Sequence, residues 1–257
     1  MYKDIEFNAA NIFLRTEVEQ IPNIFLFKGI TSDSAISDYL LTDLENFSRP
    51  SKTAKKNGNL YNLLLNNLDN WKKYPLREKS IILTDSQNIA KSFSTTVDEK
   101  YGKTFYVFPR QNSSIVLSPN DDIWYSFRRG LTEIGLRGND ADLILFNDLF
   151  YEIFSSCNIV DFDQNFELFI EHLNSLIKGE IKPQSHLNFK SQLLYEKLVN
   201  LNLDAKELLE NVFDPDSNGF EIKQYNKEFA LGNRNIEMWT NEQCLLINVD
   251  KFDAFTI

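Results

Sequence analysis

Three residues of different chemistry stand at the edges of short apolar runs: Lys28 after "IFLF", Thr84 closing "SIILT", and Glu237 inside "NIEMW", with Ser80 as a second hydroxyl opening the middle run. A cation, a hydroxyl and a carboxylate on three separate strands are the parts needed to hold a nucleotide and act on its sugar. The cation would face phosphate, the hydroxyl would orient it, and the carboxylate would stabilise positive charge developing on the ribose. Taken singly, each is also an ordinary polar group where a strand meets water, and spacing alone does not bring the three together. Arg49, Lys52, Lys55, Lys56, Lys72, Lys73, Arg77 and Lys79 form a basic cluster that could surround an anion or make a solvated face.

Other candidates carry less chemistry. His172 and His186 are the only histidines and fall in unrelated contexts, which disfavours both a zinc site of ordinary type and a His-assisted nucleophile. "DPDSNG" begins like a calcium loop with Asp214, Asp216, Asn218 and Gly219, but Tyr225 stands where a bidentate Glu is needed. A helix-terminating turn is the expectation there. Asp121 and Asp122 read more simply as helix-capping acids than as a metal pair. No metal is expected.

Composition sets further bounds. The 257 residues are 42% hydrophobic and 25% charged, enough for one large or two modest domains with a substantial core. Cys157 and Cys244 form no disulfide framework and no CxxC motif, so a reducing cytoplasm is the expected setting. The N-terminal twenty residues carry acids early and do not read as a secretory signal, and no apolar run approaches the ~20 residues that span a bilayer. Residues 1–137 hold 18 Lys/Arg against 16 Asp/Glu, whereas residues 138–257 hold 9 against 21. The second half is therefore strongly acidic, which disfavours nonspecific nucleic-acid coating and suits docking to a basic partner.

The elements that must position these groups follow from periodicity. Residues 1–20 suggest a short helix or two, and a strand is expected at about 24–28. The spacing of "DSAISDYLLTDLENF" (33–47) predicts an amphipathic helix, 48–59 a polar loop, and 60–71 a further helix. "SIILT" (80–84), "TFYVFP" (104–109) and "SSIVLSP" (113–119) read as strands, with a capped helix at 85–93 between the first two. Four long helical patterns run through 140–156, 166–179, 187–200 and 203–213, and strand texture returns at 219–225, 236–239 and 242–249. The expected protein is α+β: a split, mixed β core from residues 1–121 and 214–257, with a helical insertion over 122–213.

The order "LFKGI", "RPSKT", "YPLREKSIILTDSQNIAKSF", "YGKTFYVFP" and "NIEMWTNEQCLLINV" resembles mono-ADP-ribosyltransferase-like proteins of phages and bacterial toxins or effectors. In that family a first strand ends in Arg-Gly, a second ends in Ser or Thr before a short helix, and a late strand opens on a catalytic Glu. The resemblance implies Glu237 as the catalytic residue and Thr84 or Ser80 as the hydroxyl. It implies Lys28 and Gly29 at the first motif, with lysine standing where arginine is usual. An ammonium makes a point contact where a guanidinium makes a planar clamp, so either the first motif has drifted with weakened NAD binding, or Arg49 or Arg77 supplies the phosphate contact instead. Tyr101 or Phe105 would stack on nicotinamide. The implied activity is cleavage of the nicotinamide–ribose bond of NAD and transfer of ADP-ribose to an acceptor, a protein in the first instance with nucleic acid left open, and no membrane involvement. The competing expectation is a nonenzymatic acidic interaction protein, of an immunity or anti-defence kind or an inactive form of the same fold.

Overall fold

The short apolar runs "SIILT", "TFYVFP" and "SSIVLSP" form strands because their β-branched and aromatic side chains fit a buried pleated surface. A computed structural model describes residues 2–18, 21–31, 37–44, 59–95, 102–135, 143–160, 162–200, 203–232 and 235–255. Its strands are β1 (Tyr2–Asp4), β2 (Leu26–Ile30), β3 (Tyr39–Thr42), β4 (Ile81–Thr84), β5 (Lys103–Pro109), β6 (Ser114–Leu117), β7 (Glu221–Gln224), β8 (Glu237–Thr240) and β9 (Cys244–Asn248). They form one nine-stranded sheet in the order β1-β3-β9-β5-β2-β4-β8-β6-β7, and with the helices below make the protein α+β.

Every pairing among these strands is antiparallel, not mixed as expected. An apolar run has the same pattern whichever way its neighbour points, so direction is invisible in the sequence. The ladders run from two to five register pairs except between β2 and β4, where Phe27 and Thr84 make a single pair. The sheet is thus two ladders, β1-β3-β9-β5-β2 and β4-β8-β6-β7, joined by that one pair. Every residue of β8 and β9 is buried, which is why "CLLI" within β9 reads as an unbroken apolar run.

Two strands were not anticipated. Tyr39–Thr42 lies inside the segment expected to be helical, yet it is β3, pairing Tyr39 with Ile247 and Leu41 with Leu245. "YLLT" suits either structure locally. Pairing with β1 on one side and β9 on the other supplies the backbone hydrogen bonds and decides the matter. Residues 33–36 and 45–47 of that segment lie outside the described residues. β1 is a three-residue edge strand ahead of helix α1 (Phe7–Phe13), which continues into a π-type turn, Leu14–Val18.

The connection after β4 is a short helix, α3 (Gln87–Ser94), capped by Ser86, whose Oγ accepts from the Ile89 N–H at 3.4 Å. It crosses directly over Gly29: a Cβ there would lie 1.8 Å from the carbonyl oxygen of Ala90. Gly29 is therefore required for the helix to approach the strand, whatever else the motif does. Gly29→Ala is expected to destabilise by about 3 kcal/mol, at the upper end of ordinary overpacking because the obstacle is backbone. An unchanged urea midpoint in that variant would show that α3 lifts off at no cost.

The chain divides into two units, Met1–Arg49 with Pro75–Asp122 and Glu221–Ile257, and Pro50–Tyr74 with Ile123–Phe220. The second is helical: α2 (Asn59–Asn67), α4 (Arg128–Glu133), α5 (Leu143–Ser156), α6 (Phe166–Ile177), α7 (Phe189–Val199), α8 (Ala205–Val212) and α9 (Pro215–Asn218). Its core is aromatic, with Phe150 meeting Phe146, Phe154 and Phe169. Asn165, Asn188 and Asp204 cap α6, α7 and α8 with side-chain oxygens. The calcium-like stretch, expected as a helix-terminating turn, is a one-turn helix of its own: Asp214 caps α9 and Gly219, at φ 86°, ends it. Among the described residues no helix is long and apolar enough to cross a membrane.

This unit takes in residues 50–74 as well as the long helical span, and that changes its charge. Residues 123–220 hold 8 Lys/Arg against 16 Asp/Glu, residues 50–74 hold five against one, and the unit's net charge is −4. Residues 138–220 of this unit still hold 15 Asp/Glu against 5 Lys/Arg, and it is the basic residues of 50–74, with Arg128, Arg129 and Arg137, that offset much of that acidity.

Candidate functional site

The β4–β8 ladder sets Thr84 directly opposite Glu237. On its other side Thr84 pairs with Phe27, so Phe27, Thr84 and Glu237 form one row across three strands. Residues directly opposite one another project to the same side of a sheet, which brings the hydroxyl and the carboxylate together. Local bonds hold both strand ends. Thr84 Oγ1 accepts from the Ser86 N–H at 3.2 Å, turning the chain into α3. Glu237 donates its N–H to the Asn120 carbonyl and accepts from the Ser118 N–H through its own carbonyl, both at 2.9 Å.

Asp85 ties the two ends to each other. Its carboxylate accepts from the backbone N–H groups of Asn235 and Ile236, both at 3.1 Å. Asn235 has φ 58°, in the left-handed region that asparagine tolerates, and so turns the chain sharply into β8. Ser86 caps α3, and Asp85 positions the strand that opens on Glu237.

The side chain of Glu237 is engaged by Arg77. Arg77 Nε donates to Oε1 at 2.8 Å and a terminal guanidinium nitrogen donates to Oε2 at 3.0 Å. The side chains are 15% and 10% exposed, so the pair sits largely out of water. Such a fork-to-fork contact is the strongest geometry open to the two groups. Arg77 belongs to a single 3-10 turn, Arg77–Lys79, fastened at both sides: Ser80 Oγ donates to the Leu76 carbonyl at 2.8 Å, and Trp239 Nε1 donates to the Pro75 carbonyl at 2.9 Å. Residues 75–80 and β8 are thus stitched together by a buried ion pair and a buried indole bond.

The other candidates fall elsewhere. Ser80 is fully buried with its hydroxyl committed to that turn, which leaves Thr84 as the hydroxyl beside Glu237. Lys28 is one residue out of step with the Phe27–Thr84–Glu237 row. Its own row runs through Phe105 to Asn248. Asn248 there donates to Asp38, which also accepts from Lys103, both at 2.7 Å. The Lys103 bond, then the Asn248 bond, hold the Asp38 carboxyl below its usual range against the opposing effect of desolvation. Phe105 is fully buried in the hydrophobic core. Gly29 is spent on helix packing, and Arg49 and Tyr101 lie outside the described residues. Among the described residues no three His, Cys, Asp or Glu side chains gather as a metal site would require.

The cation that meets Glu237 is Arg77, while Lys28 lies one residue outside the Thr84–Glu237 row. The sequence offered Arg77 only as a replacement phosphate contact, and nothing in its local context points to a carboxylate 160 positions away. Comparison of the chain with protein-family models, with curated proteins and with solved structures finds no match.

Proposed function

We propose that the β-rich unit is an ADP-ribosyltransferase-like domain that binds NAD and uses Glu237 on its ribose. The observation that carries this reading is the register of Thr84 against Glu237 on neighbouring strands. The strand order β5-β2-β4-β8 supports it further, because it sets the Lys28–Gly29, Thr84 and Glu237 elements side by side, and the single Phe27–Thr84 pair is where a split core would part. In the proposed reaction the bond between nicotinamide and C1′ of ribose breaks, with its electron pair leaving on the nicotinamide nitrogen. Glu237 stabilises the resulting oxocarbenium character and orients the 2′-hydroxyl, and a nucleophilic atom of the acceptor closes on C1′. The acceptor is a protein in the first instance and nucleic acid in the second, met in a cytoplasmic setting. Lys28 stands too far out of register to serve as the sole phosphate clamp, and Arg77 takes that part.

A nonenzymatic reading is favoured by one specific feature: both oxygens of Glu237 are already occupied by Arg77. A binding domain needs the carboxylate only as a strut. Calorimetry with NAD and an assay of nicotinamide release separate the two, with wild type compared to Glu237→Gln. The enzyme reading expects NAD to bind both forms, and nicotinamide release to fall on the order of a hundredfold or more in the variant. Failure of NAD to bind either form would leave the interaction protein, and a basic partner would be sought.

A further inference from the structure

We infer that Glu237 acts as an internal occupant of an anion site on Arg77, and that the diphosphate of a bound nucleotide displaces it. This deepens the NAD reading of the same site by naming what its ligand must do on arrival. Three observations lead here. The guanidinium of Arg77 is presented as a fork, and both tines end on the Glu237 oxygens, which mimic the spacing of two phosphate oxygens. The turn bearing Arg77 is held rigid by Ser80 and Trp239, so it offers the fork in one place whether or not the carboxylate is there. The carboxylate's backbone is equally fixed by Asp85, Asn120 and Ser118, so only the Glu237 side chain has to turn.

The consequence is a coupling between binding and chemistry. While Arg77 holds Glu237, the carboxylate's charge is neutralised and it can do little for a developing ribosyl cation. Once a diphosphate takes the guanidinium, the carboxylate is released beside Thr84, in the row where the ribose would lie. A ligand lacking the diphosphate would leave the pair closed.

The experiment uses inorganic pyrophosphate as probe, with isothermal calorimetry on the full chain and circular dichroism to confirm folding. Three forms are compared: wild type, E237Q, and the double variant R77Q/E237Q, which keeps an amide–amide contact and leaves no buried charge. Removing the competing carboxylate is expected to tighten pyrophosphate binding by about tenfold or more in E237Q. Binding should be lost in the double variant. Equal affinity in all three forms, or weaker binding in E237Q than in wild type, would overturn the inference. Glu237-dependent pyrophosphate binding together with no nicotinamide release from NAD would keep the displaceable anion site while rejecting the transferase reading. Loss of pyrophosphate binding from folded E237Q while NAD turnover persists in wild type would do the reverse.

Discussion

Arg77→Ala is expected to lower stability by about 3–5 kcal/mol, because it leaves the Glu237 carboxylate largely out of water with no cation opposite it. The cost is not the worth of the ion pair. Bringing both charges out of water is itself expensive, and the Coulombic gain only roughly offsets it. The companion variant makes the distinction measurable: Arg77→Met with Glu237→Leu replaces both ends with apolar groups of similar bulk and is expected to stay near wild-type stability or exceed it. Urea unfolding followed by circular dichroism reads both. A double variant as unstable as Arg77→Ala would mean that the pair contributes net stability, and that removing it removes more than a desolvation penalty. If the double variant is stable, the ion pair is there for something other than holding the fold, which is what an exchangeable anion site on Arg77 requires.

Trp239→Ala is the other large effect, and its two sources can be separated. The indole is fully buried on β8, two residues from Glu237, and its Nε1 donates to the Pro75 carbonyl. Removing the ring from a packed interior costs about 3–5 kcal/mol. Trp239→Phe keeps most of the apolar volume but strands the Pro75 carbonyl, and about 1–3 kcal/mol is expected from that alone. The phenylalanine variant should also loosen the turn that presents Arg77, so the affinity for pyrophosphate should fall along with stability. If Trp239→Phe is as unstable as Trp239→Ala, the hydrogen bond dominates. If it is neutral, the 75–80 segment is held by Ser80 and Arg77 without help from the indole.

Much of the fold is legible from local pattern. "SIILT", "TFYVFP", "SSIVLSP" and "EQCLLINV" are strands because runs of branched and aromatic side chains can be covered on a buried sheet, and each appears where the pattern predicts. The long helices from Leu143 to Val212 follow the three- and four-residue apolar steps, with Asn and Asp capping their starts. "DPDSNG" is legible as a turn because its capping aspartate and terminal glycine act within six residues of chain. Where the pattern fails, at Tyr39–Thr42, four residues are too few for periodicity to distinguish helix from strand, and neighbours more than two hundred positions away supply the missing bonds.

The site divides along the same line. The residue types, a carboxylate opening a strand and a hydroxyl ending one, are present in the sequence, and so is the chemistry they could perform. Their partnership is not. Thr84 faces Glu237 because β4 and β8 pair in one register, and a slip of a single residue would have put them on opposite sides of the sheet. Lys28 misses that row for the same reason, by one residue. Arg77 reaches Glu237 because a 3-10 turn, a serine hydroxyl and a tryptophan indole place it there, none of which leaves a mark on local composition. Local sequence determined the elements, their caps and the candidate groups, because those depend on interactions within a few residues. Which groups meet depends on strand register and on contacts between distant segments, and only the folded chain decides those.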